Sequence, residues 1–104
     1  MTDYVLLYSG GSMPETEDEQ KTVMDAWNTW MGQLGSSLKD GGNPFTPASK
    51  TISADGSVGD GGGSASGYSI LSADSLDAAA EMAKGCPVLQ GGATITVYET
   101  FAVM

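Results

Sequence analysis

The sequence contains no histidine and no arginine, and its cationic side chains are four lysines. Set against 13 acidic residues, they leave a formal net charge of −9 at pH 7. A surface of that sign repels nucleic-acid phosphates and anionic lipid headgroups, so we expect neither nucleic acid nor a membrane as a partner. The absence of histidine also removes the side chain that most often titrates near neutral pH. A histidine-based general base or metal ligand is therefore excluded.

Cysteine and long apolar runs are also scarce. The single cysteine, Cys86, cannot form an internal disulfide, which is typical of a protein of a reducing compartment. The acidic run at residues 15–19 offers carboxylates to a hard cation, but helix capping explains the same residues, and we predict no metal and no cofactor. The apolar run at residues 4–8 is too short for a signal sequence or a membrane span. We expect a cytoplasmic protein.

The length of the chain limits the size of its core. It has 104 residues, of which 40% are hydrophobic. We interpret residues 1–104 as a single domain, since no repeat and no change of composition marks a boundary. At this size folding buries only a modest fraction of the surface, so a core shared with a second copy would add stability.

The clearest secondary-structure pattern lies in residues 67–99. A short apolar run at Tyr68–Ala73 predicts a strand, and Asp74 then occupies the N-cap position of a predicted helix. Gly85 is expected to end this helix in a left-handed conformation. Residues 94–101 alternate between aliphatic side chains and threonine or tyrosine, which predicts the last strand.

The first half of the chain predicts a strand, a long amphipathic helix and a second strand. Asp3–Ser9 has apolar side chains on both faces, as buried strands do. Thr16 and Glu19 form a capping box, from which a helix of about six turns is expected to run to the glycines at 41–42. The second strand is placed at Ala48–Ser53. The apolar face of the helix comprises Val23, Ala26, Trp27, Trp30, Met31, Leu34 and Leu38.

A glycine-rich stretch separates the two halves. Asp55 and Gly56 form a hairpin-turn signal after the second strand. Residues 56–67 are rich in glycine and contain one sizeable apolar side chain, Val58, so we interpret them as a flexible loop or an irregular start to the third strand. The stretch lacks the lysine of a phosphate-binding loop, and we assign it no ligand.

The predicted element order is strand, helix, strand, strand, helix, strand. These elements form two consecutive βαβ units. Together they give an α+β fold of the ferredoxin-like βαββαβ type, an antiparallel sheet with both helices on one face. The other face is then free of helices, and the first and last strands are expected to place a tyrosine-rich set of side chains on it. That set comprises Tyr4, Leu6, Tyr8, Thr96 and Tyr98. Because a soluble monomer rarely exposes such a surface, we predict a homodimer packed sheet to sheet, with Tyr4, Leu6, Thr96 and Tyr98 in the interface.

Several runs of the sequence resemble the YCII-related or DGPF-domain family. They are Gly67–Leu71, Ala73–Ala79, Lys84–Leu89 and the glycine pair Gly91-Gly92 before the last strand. The resemblance implies a dimeric α/β barrel built from two ferredoxin-like subunits. A catalytic role suggested within the family uses a histidine and an aspartate, and this chain has no histidine for such a pair. The Asp-Gly-Pro-Phe signature of the family is replaced by Asp60-Gly61-Gly62-Gly63.

Two tryptophans on the predicted helix point to a possible ligand site. Trp27 and Trp30 are most simply part of the core, but large aromatic side chains also line apolar clefts between a helix and a sheet. Tyr8 and Tyr68 would supply the polar groups of such a cleft. A lining of this kind favours a small aromatic or cyclic compound.

No side chain in the sequence stands out as a general base or a nucleophile. Cys86 follows a helix C-terminus, where the helix dipole raises the pKa of a thiol, and the helix carboxylates Asp25 and Glu81 are predicted to face solvent. We therefore expect a non-catalytic dimeric domain, or one that binds a small apolar or cyclic ligand in the helix-sheet cleft. The alternative is an isomerase-, lyase- or oxygenase-like enzyme acting on a cyclic small molecule, as some dimeric α/β barrels are.

Overall fold

The computed structural model describes residues 2–11, 15–46, 48–61, 63 and 65–102. Within them the chain forms, in order, β1 (Thr2–Ser9), α1 (Glu17–Leu34), β2 (Leu38–Asp40), β3 (Lys50–Ile52), β4 (Val58–Asp60), β5 (Ala65–Ala73), α2 (Leu76–Ala83) and β6 (Thr94–Glu99). An antiparallel sheet contains four of the strands in the order β2-β5-β1-β6. This is the α+β, ferredoxin-like arrangement that the sequence predicts.

The first helix begins where predicted and ends early. Thr16 Oγ1 accepts a hydrogen bond from the Glu19 amide at 3.1 Å, which confirms the predicted cap. Gly35 has a φ of 55°, and the helix ends before it, about five turns after its start. The prediction that Leu38 belongs to the apolar face of this helix is therefore wrong, because Leu38 begins β2.

The second strand of the main sheet was also predicted in the wrong place. Residues 38–40 pair with β5, whereas Lys50–Ile52, within the predicted span Ala48–Ser53, pairs with Val58–Asp60 in a separate two-stranded sheet. The hairpin turn predicted at Asp55-Gly56 is confirmed. Part of the glycine-rich stretch is thus β4, and Gly62, in the middle of the altered family signature, lies outside the described residues.

The turn that follows β2 explains the difference. Gly42 has a φ of 72°, and its amide donates a hydrogen bond to Asp40 Oδ1 at 2.8 Å. A Cβ at this position would collide with the backbone carbonyl of Tyr68. The chain can therefore leave β2 and pass close over β5 only with glycine here.

The second helix has a different N-cap and a different end from those predicted. Ser75, not Asp74, is the N-cap, since its Oγ accepts from the Ala78 amide at 3.1 Å. Gly85 does not adopt the predicted left-handed conformation. It lies against Trp30 instead, where a Cβ would come within 3.1 Å of the indole Cδ1. Gly85 therefore lets the end of α2 approach α1 closely.

Both helices cover the face of the sheet that carries the even-numbered side chains of β1. Tyr4, Leu6 and Tyr8 are 1%, 0% and 4% exposed and form one buried cluster with side chains of β5 and both helices. The prediction that these three residues lie on the helix-free face, together with Thr96 and Tyr98, is wrong. In the observed register Val5 and Leu7 are the partners of Tyr98 and Thr96, so the even-numbered residues of β1 point the other way.

Candidate functional site

Three aromatic side chains meet beneath α1, and we call Tyr8, Trp27 and Trp30 the aromatic cluster. The Tyr8 and Trp27 rings have their centroids 6.0 Å apart at an interplanar angle of 66°, and those of Trp27 and Trp30 are 5.6 Å apart at 81°. These are edge-to-face contacts. Tyr8 and Trp30 are buried, whereas Trp27 is half-buried. Trp27 is therefore the member of the cluster that borders solvent.

A chain of hydrogen bonds runs through Tyr8. The Cys86 thiol donates to the Tyr8 hydroxyl at 3.6 Å, the Tyr8 hydroxyl donates to Ser69 Oγ at 2.7 Å, and Ser69 Oγ donates to the Gly41 carbonyl oxygen at 2.8 Å. The neighbouring Trp30 Nε1 donates to the Met82 carbonyl oxygen at 2.9 Å. Buried polar groups are costly unless they are paired, and these pairings fix the direction in which each group points.

Burial keeps the two weakly acidic groups in this chain of hydrogen bonds, the Tyr8 phenol and the Cys86 thiol, protonated. Desolvation raises the pKa of the Tyr8 phenol well above its ordinary value of 10.0, although the hydrogen bond to Ser69 opposes the shift. Desolvation likewise raises the pKa of the Cys86 thiol above 9.0. Neither group is therefore a thiolate or phenolate at neutral pH, the form that nucleophilic or general-base catalysis requires.

These raised pKa values predict that the protein loses stability in alkali. Above about pH 9 the unfolded chain releases protons that folded Cys86 and Tyr8 still hold, so stability is complete below that pH and declines as the pH rises toward the folded pKa values. Urea unfolding at about pH 7.5 and about pH 10 measures the loss. The double variant Tyr8→Phe with Cys86→Ala should lose less. An equal loss in the two proteins would contradict this account of the buried chain.

The fourth residue predicted for the ligand site lies elsewhere. Tyr68 is on the helix-free side of the sheet, because it pairs with Leu7 and not with an even-numbered residue of β1. Its ring stacks on Phe45 with centroids 5.9 Å apart, and its hydroxyl is 3.4 Å from Asp40 Oδ2. The structure therefore brings Tyr8, Trp27 and Trp30 together, as predicted, but separates them from Tyr68.

Sequence reasoning missed Ser69 and the part that Cys86 plays in the site. Ser69 is fully buried, and its hydroxyl is the acceptor for Tyr8. One signal was available, since Ser69 lies on the same face of the predicted strand Tyr68–Ala73 as Leu71 and Ala73. Gly67 lies opposite Tyr8, where a Cβ would come within 3.3 Å of the tyrosine ring.

The helix-free face of the main sheet is a second candidate surface, which we call the open face. Its larger side chains are half-buried or exposed, and its carboxylates, Asp3 and Asp40, lie in the strands. Lys39 Nζ lies 4.0 Å from Asp3 Oδ1 and offsets part of the negative charge of these carboxylates. The apolar and hydroxyl-bearing members of the open face are Val5, Leu7, Ser9, Tyr68, Ile70, Ser72, Thr94, Thr96 and Tyr98.

Other kinds of site find little support in the part of the chain that is described. Within it, no group of three or more cysteine, aspartate or glutamate side chains is placed to hold a metal ion. No helix among the described residues is long and apolar enough to cross a membrane. Two open grooves run beside residues 44–46 and 48–51, and Lys50 lines both of them. No member of the aromatic cluster lines either groove.

Comparison with known proteins supports the fold. No family model matches the chain, and no curated protein matches it. A similar solved structure is 5-chloro-2-hydroxyhydroquinone dehydrochlorinase (TftG) from Burkholderia phenoliruptrix AC1100, in complex with 2,5-dihydroxybenzoquinone. The TM-score is 0.53 and the sequence identity 17%, and the match covers 94% of this chain and 93% of TftG. The likeness supports the ferredoxin-like fold, whereas membership of the YCII-related family stays a prediction.

Proposed function

We propose that this protein is a small homodimeric domain that binds an apolar or cyclic small molecule between α1 and the sheet, without transforming it. The observation that carries the proposal is the position of Trp27. It is half-buried and covers the ring of Tyr8, whose hydroxyl belongs to a buried chain of hydrogen bonds. A flat ring that enters beside Trp27 would meet an aromatic surface and one oriented phenol.

Binding at this place requires Trp27 to move. The rings of the aromatic cluster are already in contact, so a ligand must displace the Trp27 side chain or slide beneath it. Trp30 cannot give way as easily, because its indole N–H is bonded to the Met82 carbonyl. We infer that Trp27 is the movable wall of the site and that Tyr8 and Trp30 are its fixed walls.

The solved neighbour provides a first probe. TftG is described in complex with 2,5-dihydroxybenzoquinone, a cyclic compound with carbonyl and hydroxyl groups. The Tyr8 hydroxyl already donates its one proton to Ser69 Oγ, so it can accept a hydrogen bond from a ligand hydroxyl, whereas donation to a ligand carbonyl requires the bond to Ser69 to break. Quinones and small phenols are therefore the compounds to test first on this chain.

The alternative function is an enzyme that acts on a cyclic small molecule. Its support is that TftG is named a dehydrochlorinase, while a shared fold leaves the chemistry open. The raised pKa values of Tyr8 and Cys86 argue against it, because both groups keep their protons at neutral pH. A turnover assay on every compound that binds separates the two functions, and we expect no turnover.

A second copy of the chain is the partner that we propose for the open face. Most carboxylates of this chain, which has a net charge of −9, lie outside that face, many of them on α1 and α2 and in the turns before them. Two copies would repel each other least if their charge-poor sheet faces met. Thr96 and Tyr98, which were predicted for the interface, lie on this face, and Tyr4 and Leu6 do not.

The ligand proposal predicts different effects for two tyrosines. Tyr8→Phe should weaken the binding of a quinone or phenol by about tenfold, the equivalent of one lost hydrogen bond. Tyr68→Phe, a matched change on the other side of the sheet, should leave the affinity unchanged. Thermal unfolding over a ligand titration measures both dissociation constants independently of the stability of each variant. Equal affinities for the two variants, or no saturable stabilisation of the wild type, would contradict the proposed site.

A further inference from the structure

The hairpin formed by β3 and β4 has no core of its own. We call residues 48–61 the arm. Ile52 and Val58 face each other across its two strands and are 70% and 64% exposed. Among the described residues, neither strand makes extensive contact with any other helix or strand. A two-stranded hairpin by itself is marginally stable in water, so the arm needs a surface that covers its apolar pair.

The arm nevertheless has a defined shape. At its tip the Ser53 amide donates to the Ser57 carbonyl at 2.8 Å, and Asp55 Oδ1 accepts from both the amide and the hydroxyl of Ser57. At its base the Gly61 amide donates to the Ser49 carbonyl at 3.2 Å. A preformed segment loses less entropy on docking than a disordered one, which favours binding.

The base of the arm is continuous with the open face. Phe45 precedes the arm, and its amide donates to the Ser66 carbonyl at 2.8 Å. The Phe45 ring stacks on Tyr68, which belongs to the open face. A molecule seated on the open face would therefore also lie within reach of the arm.

The size of the open face indicates why a second copy would use the arm. Stable protein–protein interfaces engage about 20–30 residues on each side, whereas about a dozen positions of the main sheet point to its open face. The arm would supply much of the missing surface. The base of the arm carries little net charge, because Lys50 lies 3.8 Å from Asp60, and the other carboxylate of the arm, Asp55, lies in the turn at its tip.

We propose that the arm clasps a second copy of this chain, with Ile52 and Val58 seated on the partner at the border of its open face. The proposal rests on the homodimer put forward above and adds the segment that holds it together. In a symmetric dimer both arms would engage, each reaching from its own subunit onto the other. The exposed apolar pair and the lack of an intrachain core then have one common explanation.

A dilution series of a double variant tests the arm. Ile52→Thr with Val58→Thr keeps two β-branched side chains, which suit a strand, and replaces their apolar surface with hydroxyl groups. Met24→Gln is the matched control, since Met24 is an equally exposed apolar residue on α1, 60% accessible. Sedimentation velocity should show a dimer dissociation constant about tenfold higher or more for the double variant, and unchanged for the control.

The outcomes distinguish a failure of the proposal for the arm from a failure of the proposed homodimer. If the wild type is a dimer and the dissociation constant of the double variant is less than about tenfold higher, the proposal for the arm is wrong and the proposed homodimer stands. A wild type that is monomeric at every concentration would overturn both. Hydrogen exchange gives a second readout, because the amides of residues 50–52 and 58–60 should become more protected as the protein concentration rises.

Discussion

Replacing Trp30 with alanine should lower the free energy of unfolding by about 3–5 kcal/mol, the range for removal of a large buried aromatic side chain. Trp30 is 3% exposed, and its indole N–H is bonded to the Met82 carbonyl at 2.9 Å. The variant thus loses its packing and leaves the Met82 carbonyl without this partner. Because the free energy of unfolding of such domains is only about 5–15 kcal/mol, the variant should lose a large fraction of its stability.

Trp27→Ala is the matched control for Trp30→Ala. Trp27 lies one helical turn away on the same face, but it is half-buried, so its loss should cost clearly less. Urea unfolding at one fixed protein concentration measures both changes, since dimerisation makes stability depend on concentration. If Trp30→Ala does not fold, Trp30→Phe should give a smaller loss in the same direction. Losses below about 1 kcal/mol in both alanine variants would show that α1 buries another face.

Gly42→Ala should be the most damaging glycine substitution, at roughly 2–5 kcal/mol, because it combines backbone strain with overpacking. Gly42 has a φ of 72°, and its added Cβ would meet the Tyr68 carbonyl, which belongs to the backbone and cannot rotate away. Relief of this contact would require β2 or β5 to shift, with loss of the β2–β5 pairing.

Gly56→Ala separates the two causes. Gly56 also has a positive φ, of 90°, but nothing lies within 4 Å of the position of its Cβ. Its replacement should therefore cost only the conformational strain, about 1–2 kcal/mol. Equal losses for the two variants would mean that the close approach of Gly42 to β5 has no energetic consequence. Urea unfolding of both proteins at one concentration decides the point.

The sequence was sufficient for the fold class, for the Thr16 cap and for the Asp55-Gly56 turn, but not for the choice of face. Both sets of side chains on β1 are apolar, so alternation alone leaves two ways to place Tyr4, Leu6 and Tyr8. The choice follows from packing against both helices, and the register with β6 then separates these residues from Thr96 and Tyr98. Such long-range pairings are absent from any local pattern.

Glycine caused two further errors of prediction. The predicted helix continued through Gly35 to the glycines at 41–42, but the positive φ of Gly35 ends α1 and allows β2 to begin at Leu38. Gly85 was interpreted as a left-handed helix end, but its lack of a side chain makes room for Trp30. In both cases sequence shows that the residue is glycine, while only the packing around it shows which property of glycine is used.

The candidate site was predictable in its aromatic part and not in its polar part. Trp27 and Trp30 follow from helical spacing, and Tyr8 was named with them. Ser69 and Cys86 join Tyr8 from 61 and 78 residues away along the chain, through hydrogen bonds that no short motif indicates. The same distance in sequence explains why Tyr68, next to Ser69, was assigned to the wrong side.

The most direct test of the ligand site follows the indole N–H signals in a nitrogen-15 NMR spectrum during titration with 2,5-dihydroxybenzoquinone. The chain has two tryptophans, so each of the two signals can be assigned with a single Trp27→Phe variant. Our account predicts a saturable shift of the Trp27 signal, accompanied by shifts of the Tyr8, Ser69 and Cys86 amides. It would be contradicted if both indole signals stayed in place, or if the shifts were confined to the open face or the arm.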